Sequence, residues 1–396
     1  MSAPAQPGMI GSLSKLPLMV GVRDDMRVVV DAIGAGGNAA VLVAGCRQSL
    51  ENPPAKAGSA ASGMPQGPCT PPDWLPHGNP GRAVISPGPS KRMDANPKPD
   101  SELITRLQQL LWADAATRRL LQEHGLHLTP ANFYSTVPGM AELDATAARG
   151  VAHPFLDPGV FREAGLQRGM REVEPHAGEL HAPHDDDPDA PAGFFWNNGQ
   201  FGYSDAVAYY GFLRSRRPRT VLEVGSGFST LLASAAIEAN GEGRIVCIEP
   251  YPRPFLEDIG HVEEVVRKPI QQIEAEWIND LLQDGDVLFI DSTHTVKIGS
   301  DCVHLFLRLL PALRRKLLIH VHDIYLPDEM PLHWARDMHV YWTEQYLLMA
   351  YLLDNPKIEV VWGSHHLART HRQRMESMLP PGIPAGGGSF WFDRNP

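Results

Sequence analysis

The residues most able to do chemistry lie in three places. The first is Val221-Leu222-Glu223-Val224-Gly225-Ser226-Gly227-Phe228-Ser229-Thr230. An apolar run delivers an acid and then a glycine turn into an amphipathic stretch. Glycines there let a ligand approach the backbone closely. The second is Glu249, at the end of the next apolar run, where a carboxylate can accept hydrogen bonds from both hydroxyls of a ribose. That much suits a dinucleotide as well. A dinucleotide loop, however, places a third glycine three positions after Gly227, and here that position is Thr230. The acid at Glu223, two residues before Gly225, suits a ligand carrying an ammonium and a sulfonium rather than a pyrophosphate. The third place holds Asp291, His294, His322 and Asp323. Two carboxylates and two imidazoles can take a proton from an acceptor hydroxyl. Alternatively, Asp291, His322 and Asp323 can hold a divalent cation that does so, magnesium or manganese being favoured by oxygen-rich ligation. A His-Asp pair that only orders a loop is the bland alternative.

These groups need a frame. Strands are expected over 220–224, 244–248, 263–267, 286–290, 317–321, 358–362 and 389–392. Helices are expected over 205–214, 228–239, 271–282, 302–313 and 344–353. Strand–helix alternation of this kind means a parallel sheet with helices on both faces. The expected fold is therefore α/β, a doubly wound Rossmann-like sheet. The last two strands lack a good crossover helix and read as a terminal antiparallel hairpin. Ligands on such sheets bind at the carboxyl edge, where Asp291 and His322-Asp323 would meet.

The rest of the chain reads differently. Residues 1–100 form a leader rich in Pro, Gly and Ala, with about a dozen prolines between 51 and 100. Such a segment buries too little to offset its ordering entropy, so it is expected to be disordered, and residues 1–92 to be dispensable for folding. Residues 101–200 read as a small helical and irregular cap, with Leu103, Ile104, Leu107, Leu110 and Leu111 at helical spacing and Ser101 as a cap. Residues 150–192 read as irregular, and His181, His184, Asp185, Asp186 and Asp187 within them as a solvated acidic loop. The catalytic domain is then 201–396. Trp334, Tyr341, Trp342 and Tyr346 either wall an acceptor pocket or cover a helix interface.

Composition narrows the partners. Across 396 residues the net charge is −11, which is poorly suited to nucleic acid. No run reaches the ~18 apolar residues of a membrane span. Val43-Ala44-Gly45-Cys46 matches a lipoprotein cleavage box, but Asp31 and Asn38 interrupt the apolar stretch before it. The four cysteines, Cys46, Cys69, Cys247 and Cys302, show no metal or disulfide spacing. A cytoplasmic protein without nucleic-acid or membrane partners is expected; the oligomeric state is left open.

The segment Glu223 to Thr230 resembles motif I of the class I S-adenosylmethionine-dependent methyltransferases, and Ile248-Glu249-Pro250 resembles the acidic motif that follows it. Further segments resemble one bacterial branch, methyltransferase domain 24: Asn132-Phe133-Tyr134-Ser135, Phe289-Ile290-Asp291-Ser292-Thr293-His294, His320-Val321-His322-Asp323-Ile324, Glu344-Gln345-Tyr346-Leu347 and Gly387-Gly388-Ser389-Phe390-Trp391-Phe392. The resemblance covers about 101–396. It implies that Glu223, Gly225, Ser226, Gly227 and Glu249 hold S-adenosylmethionine, with Asp291 beside the methyl donor. It also places the strands bearing Asp291 and His322 next to each other. The acid that many relatives carry after the third strand is missing around Arg267-Lys268-Pro269-Ile270. The expected activity is O-methylation of a small-molecule or glycan hydroxyl. A metal-dependent oxygenase on the same fold, or a binding module without catalysis, would use the same residues differently.

Overall fold

The computed structural model describes residues 99–149 and 158–396. The expected leader, with Cys46, Cys69 and the lipoprotein-like box, lies outside the described residues. Strand propensity and burial work together in β1 (Thr220–Val224), β2 (Arg244–Ile248), β3 (Val262–Val266), β4 (Val287–Ile290), β5 (Leu317–Val321), β6 (Ile358–Gly363) and β7 (Phe390–Arg394). They form one sheet in the order β3-β2-β1-β4-β5-β7-β6. The first five are parallel, and β7 runs antiparallel to both of its neighbours. Strand order reverses between β1 and β4, which opens a crevice at their carboxyl ends. Helices flank the sheet as the alternation predicted, so the doubly wound Rossmann-like fold is observed.

Two helices shape the crevice. Tyr203–Arg216 is buried along Ser204 to Leu213, because it is enclosed between the sheet and neighbouring helices. Phe228–Asn240 follows the glycine loop and stops at Gly241, whose φ of +75° is the left-handed helix terminus that glycine favours. Cys247 and Cys302 are buried free thiols. Among the described residues no helix is long and apolar enough to cross a membrane.

Several expectations need correcting. Asp100, not Ser101, caps the first helix, its carboxylate accepting from the Leu103 amide at 2.7 Å. Residues 150–192 are not wholly irregular, since Glu163–Val173 is a helix that buries Leu166, Met170 and Val173. Its Gly165 and Gly169 hid it, because glycine lowers helix propensity. They are there for contact: a Cβ on Gly169 would sit 2.0 Å from the Val361 carbonyl oxygen of β6. β6 and β7 do pair antiparallel, but their connection carries two short helices, Ser364–Thr370 and Arg372–Ser377, so it is not a tight hairpin. His184 and Asp185 pair with each other at 2.7 Å on the surface, in keeping with a solvated loop.

Candidate functional site

The glycine loop is locked to the neighbouring strands. The Gly225 amide donates to the Ile248 carbonyl at 3.1 Å, and the Asp291 amide donates to the Val224 carbonyl at 2.8 Å. Gly225 has φ +83°, and a Cβ there would lie 1.9 Å from the Asp291 carbonyl oxygen. At Gly227 the space is open, since the nearest atom to a Cβ would be Arg253 Nε at 3.8 Å. The Ser226 hydroxyl is buried without a hydrogen-bond partner. Glu249 accepts from the Tyr251 amide at 2.8 Å and from the Ser226 amide at 3.3 Å, and burial raises its carboxyl above the usual range. An open glycine position, an orphaned hydroxyl and a carboxylate at the second strand end fit S-adenosylmethionine.

Glu223 stands elsewhere than expected. It is fully buried; one oxygen accepts from the Tyr209 hydroxyl at 2.8 Å and the other from the Thr230 hydroxyl. Thr230 Oγ1 in turn accepts from the Gly227 amide at 3.0 Å. Glu223 therefore holds the loop from behind, and a direct contact with a ligand's ammonium is closed to it. Burial pushes its carboxyl to about 7, only partly offset by Thr230 and Tyr209. A carboxyl raised on folding favours the protonated native state. Its stabilisation is present below the unfolded value near 4.5 and is lost as pH rises to about 7. Thermal melts from pH 4.5 to 7.5 should show Glu223→Gln gaining on the parent protein by on the order of 3 kcal/mol. Parallel pH profiles for the two proteins would refute this.

The reactive edge forms because β4 and β5 pair with Ile290 opposite Val321, so the next residues, Asp291 and His322, leave the sheet side by side. His294 Nε2 lies 3.2 Å from Asp291 Oδ1 and 3.4 Å from Asp323 Oδ2. One ligand atom from each of Asp291, His294 and Asp323 falls within 4.8 Å of the others. His322 is the outer neighbour: Nδ1 is 3.5 Å from Asp323 and 3.7 Å from Asp291, and Nε2 is 3.5 Å from Asp205. Both imidazoles thus reach both carboxylates, His294 more closely, so His294 joins Asp291 and Asp323 beside the expected His322. His294 and Asp323 both have left-handed backbones, φ +57° and +55°. Such strain costs about 1–2 kcal/mol each and persists only where neighbours impose it. The His294 carbonyl accepts from the Thr343 and Glu344 amides, and the Ile324 amide donates to the Gly388 carbonyl at 2.8 Å.

Charge dominates this edge. Burial opposes the charge on His294, but hydrogen bonds to Asp291 and Glu344 and the charge of Asp323 win and raise it to about 10. His322 is likewise raised, despite burial, by Asp323 and Asp291. Burial would raise Asp291, but the two imidazoles hold it well below the usual carboxylate range. His320 is different. Burial and the charge of His322 keep it neutral, stacked 4.2 Å from Phe289 with its Nε2 on Ser389. It is a core residue.

Two site residues escaped the sequence reading. Glu344 is buried and its Oε2 lies 2.8 Å from His294 Nδ1; it had surfaced only inside a family-like segment. Asp205 accepts from the Gly388 and Ser389 amides at 2.9 and 2.8 Å and faces His322. Its signal was a lone acid in the Ala-, Val- and Tyr-rich stretch of a buried helix. Of the aromatics, Trp342 packs 4.4 Å from the His294 ring, and Trp334 and Tyr325 continue the row. Tyr341 and Tyr346 engage His339 and Glu329 instead.

Sheet order, glycine loop and strand-end acids are similar to those of class I S-adenosylmethionine-dependent methyltransferases. Residues 222–324 match the family model described as Methyltransferase domain, which spans the loop, Glu249, Asp291, His322 and Asp323. An uncharacterized protein of Archaeoglobus fulgidus is 29% identical over 180 residues, 43% of this chain and 76% of its own length. Among solved structures, the chain is similar to the plantazolicin methyltransferase BpumL in complex with SAH, at 12% identity and a TM-score of 0.32, covering 59% of this chain and 98% of that one. It is also similar to an O-methyltransferase from Bacillus cereus in complex with SAH, at 14% identity and a TM-score of 0.28, covering 64% of this chain and all of that one.

Proposed function

We propose that the enzyme methylates a hydroxyl oxygen of a small-molecule or glycan acceptor, assisted by a divalent cation at Asp291, His294 and Asp323. The observation that carries this reading is the convergence of two carboxylates on one imidazole nitrogen at the crevice beside Gly225-Ser226-Gly227. Like-charged carboxylates that share one point need a cation between them. A proton on His294 Nε2 supplies one, and so would a metal ion. A metal ion would also lower the pKa of a bound acceptor hydroxyl. Two carboxylates and one imidazole suit magnesium or manganese. Glu344 accepts from Nδ1–H and so aims the Nε2 lone pair at the cluster, the usual carboxylate–imidazole–metal arrangement.

S-adenosylmethionine, when bound, supplies an electrophilic methyl group on a sulfonium. The chain's residues do the rest. Glu249 and the loop amides fix the donor, and Asp291 stands between donor and acceptor. Trp342, Trp334 and Tyr325 wall the acceptor side and exclude water. The hydroxyl's proton passes to one of the two carboxylates, Asp291 or Asp323, that face the cluster. The net charge of −11 supports a reading without a nucleic-acid partner.

The test is a chelator-stripped sample titrated with magnesium, manganese and iron, with methyl transfer followed over a panel of hydroxyl acceptors. Activity restored by magnesium or manganese is expected. Full activity in the stripped enzyme removes the cation. Iron-dependent oxygen uptake without methyl transfer favours an oxygenase built on the same ligands.

A further inference from the structure

Arg253 is half-buried beside the glycine loop. Its Nε is the nearest atom to the open face of Gly227, and its guanidinium carbon lies 4.8 Å from the centre of the Phe228 ring. Among the described residues no carboxylate pairs with it. Asp189 and Glu249 act on it only from beyond ion-pair reach, and burial weakens its hold on its proton. Removing a guanidinium from water without a partner costs free energy that a packed protein normally recovers by pairing. Arg168 and Arg216, also half-buried, do pair: Arg168 with Glu359 and Asp393, and Arg216 with Glu172 and Asp393. Arg253 is also held in place, with its guanidinium over the ring of Phe228, which is itself packed against Phe195 and Phe255. It is therefore a fixed cation at the mouth of the cofactor loop with its hydrogen-bonding edge uncommitted.

The anion missing from this arrangement must come with a ligand. S-adenosylmethionine carries one, the carboxylate of its amino-acid end. We propose that Arg253 is a cofactor-binding residue that pairs with this carboxylate across the open face of Gly227. The chain then divides the cofactor between two charges from one segment: Glu249 takes the ribose, and Arg253, four residues later, takes the carboxylate. A guanidinium suits that task because its donors form a planar fork matched to a carboxylate.

The inference rests on the methyltransferase reading, and its test separates the two. Calorimetry would compare three probes on the parent protein and on Arg253→Ala and Arg253→Lys. The probes are S-adenosylhomocysteine, its decarboxylated analogue that keeps the amine, and 5′-methylthioadenosine, which lacks the amino-acid end. Failure of the parent protein to bind S-adenosylhomocysteine would sink the methyltransferase reading. Given that binding, Arg253→Ala should weaken S-adenosylhomocysteine by about 10- to 100-fold, the range for a hydrogen bond to a charged group. The other two probes should change by less than about threefold, and Arg253→Lys should recover part of the loss. Equal weakening of all three probes would place Arg253 on the adenosine and overturn the proposal; so would no weakening of any. Melting curves of the ligand-free variants show whether they fold, and should Arg253→Ala not fold, the probe ratios for Arg253→Lys decide the matter.

Discussion

Gly225→Ala should lower the melting temperature by about 5–15 °C and abolish measurable cofactor binding. The added methyl would lie 1.9 Å from the Asp291 carbonyl oxygen, and the Gly225 and Asp291 amides are both held by hydrogen bonds to neighbouring strands. Neither can give way without disturbing β1 or β4. The left-handed φ of +83° adds about 1–2 kcal/mol for a residue with a Cβ. Overpacking of this kind costs about 1–3 kcal/mol more. In a domain of this size each kcal/mol is worth about 2–4 °C. Binding suffers further because the change falls where the loop meets the strand end that carries Asp291. Differential scanning calorimetry and a binding titration on the purified variant check both parts. A variant that melts and binds like the parent would mean that the loop and Asp291 are not in the contact described.

Asp291→Ala should reduce turnover on the order of 10²–10⁴-fold, the range lost when a positioned proton-transfer group is removed. It meets both His294 and His322, at 3.2 and 3.7 Å, as Asp323 does at 3.4 and 3.5 Å. It is also 34% exposed toward the crevice, whereas Asp323 is 12% exposed. Its loss leaves two imidazoles against one fewer anion, so both should release protons more readily. It also removes a cation ligand, so manganese affinity should fall together with turnover. Asp323→Ala should show the same coupled loss. Steady-state rates and manganese titrations on the two variants provide the check. Near-normal turnover in both would remove the reactive edge from the account.

How much of this was legible in the sequence depended on how local each feature is. The glycine loop, Glu249 and the strand ends are written in short runs, and the structure places them at one crevice. The partners that hold them come from far along the chain. Glu344 reaches His294 across 50 residues, and Asp205 reaches Gly388 across 183. No periodicity reports a contact of that kind. Glu223 was misread because a buried acid before a glycine loop can face the ligand or brace the loop from behind. Only the positions of Tyr209 and Thr230 decide between them. The insertion of β7 between β5 and β6 had a trace in Phe390-Trp391-Phe392. Three large apolar residues in succession imply a strand covered on both faces, and all three are buried. The helix Glu163–Val173 left little trace, since the glycines that allow it to lie on β6 also read as loop residues.

The central claim is that the crevice above Gly225-Ser226-Gly227 and Glu249 holds S-adenosylmethionine. Titration calorimetry of the purified chain against S-adenosylhomocysteine and against NAD tests it most directly. The account predicts a dissociation constant in the micromolar range for S-adenosylhomocysteine, about −8 kcal/mol, weakened in Glu249→Ala, and no comparable heat with NAD. Tighter binding of NAD than of S-adenosylhomocysteine would contradict it.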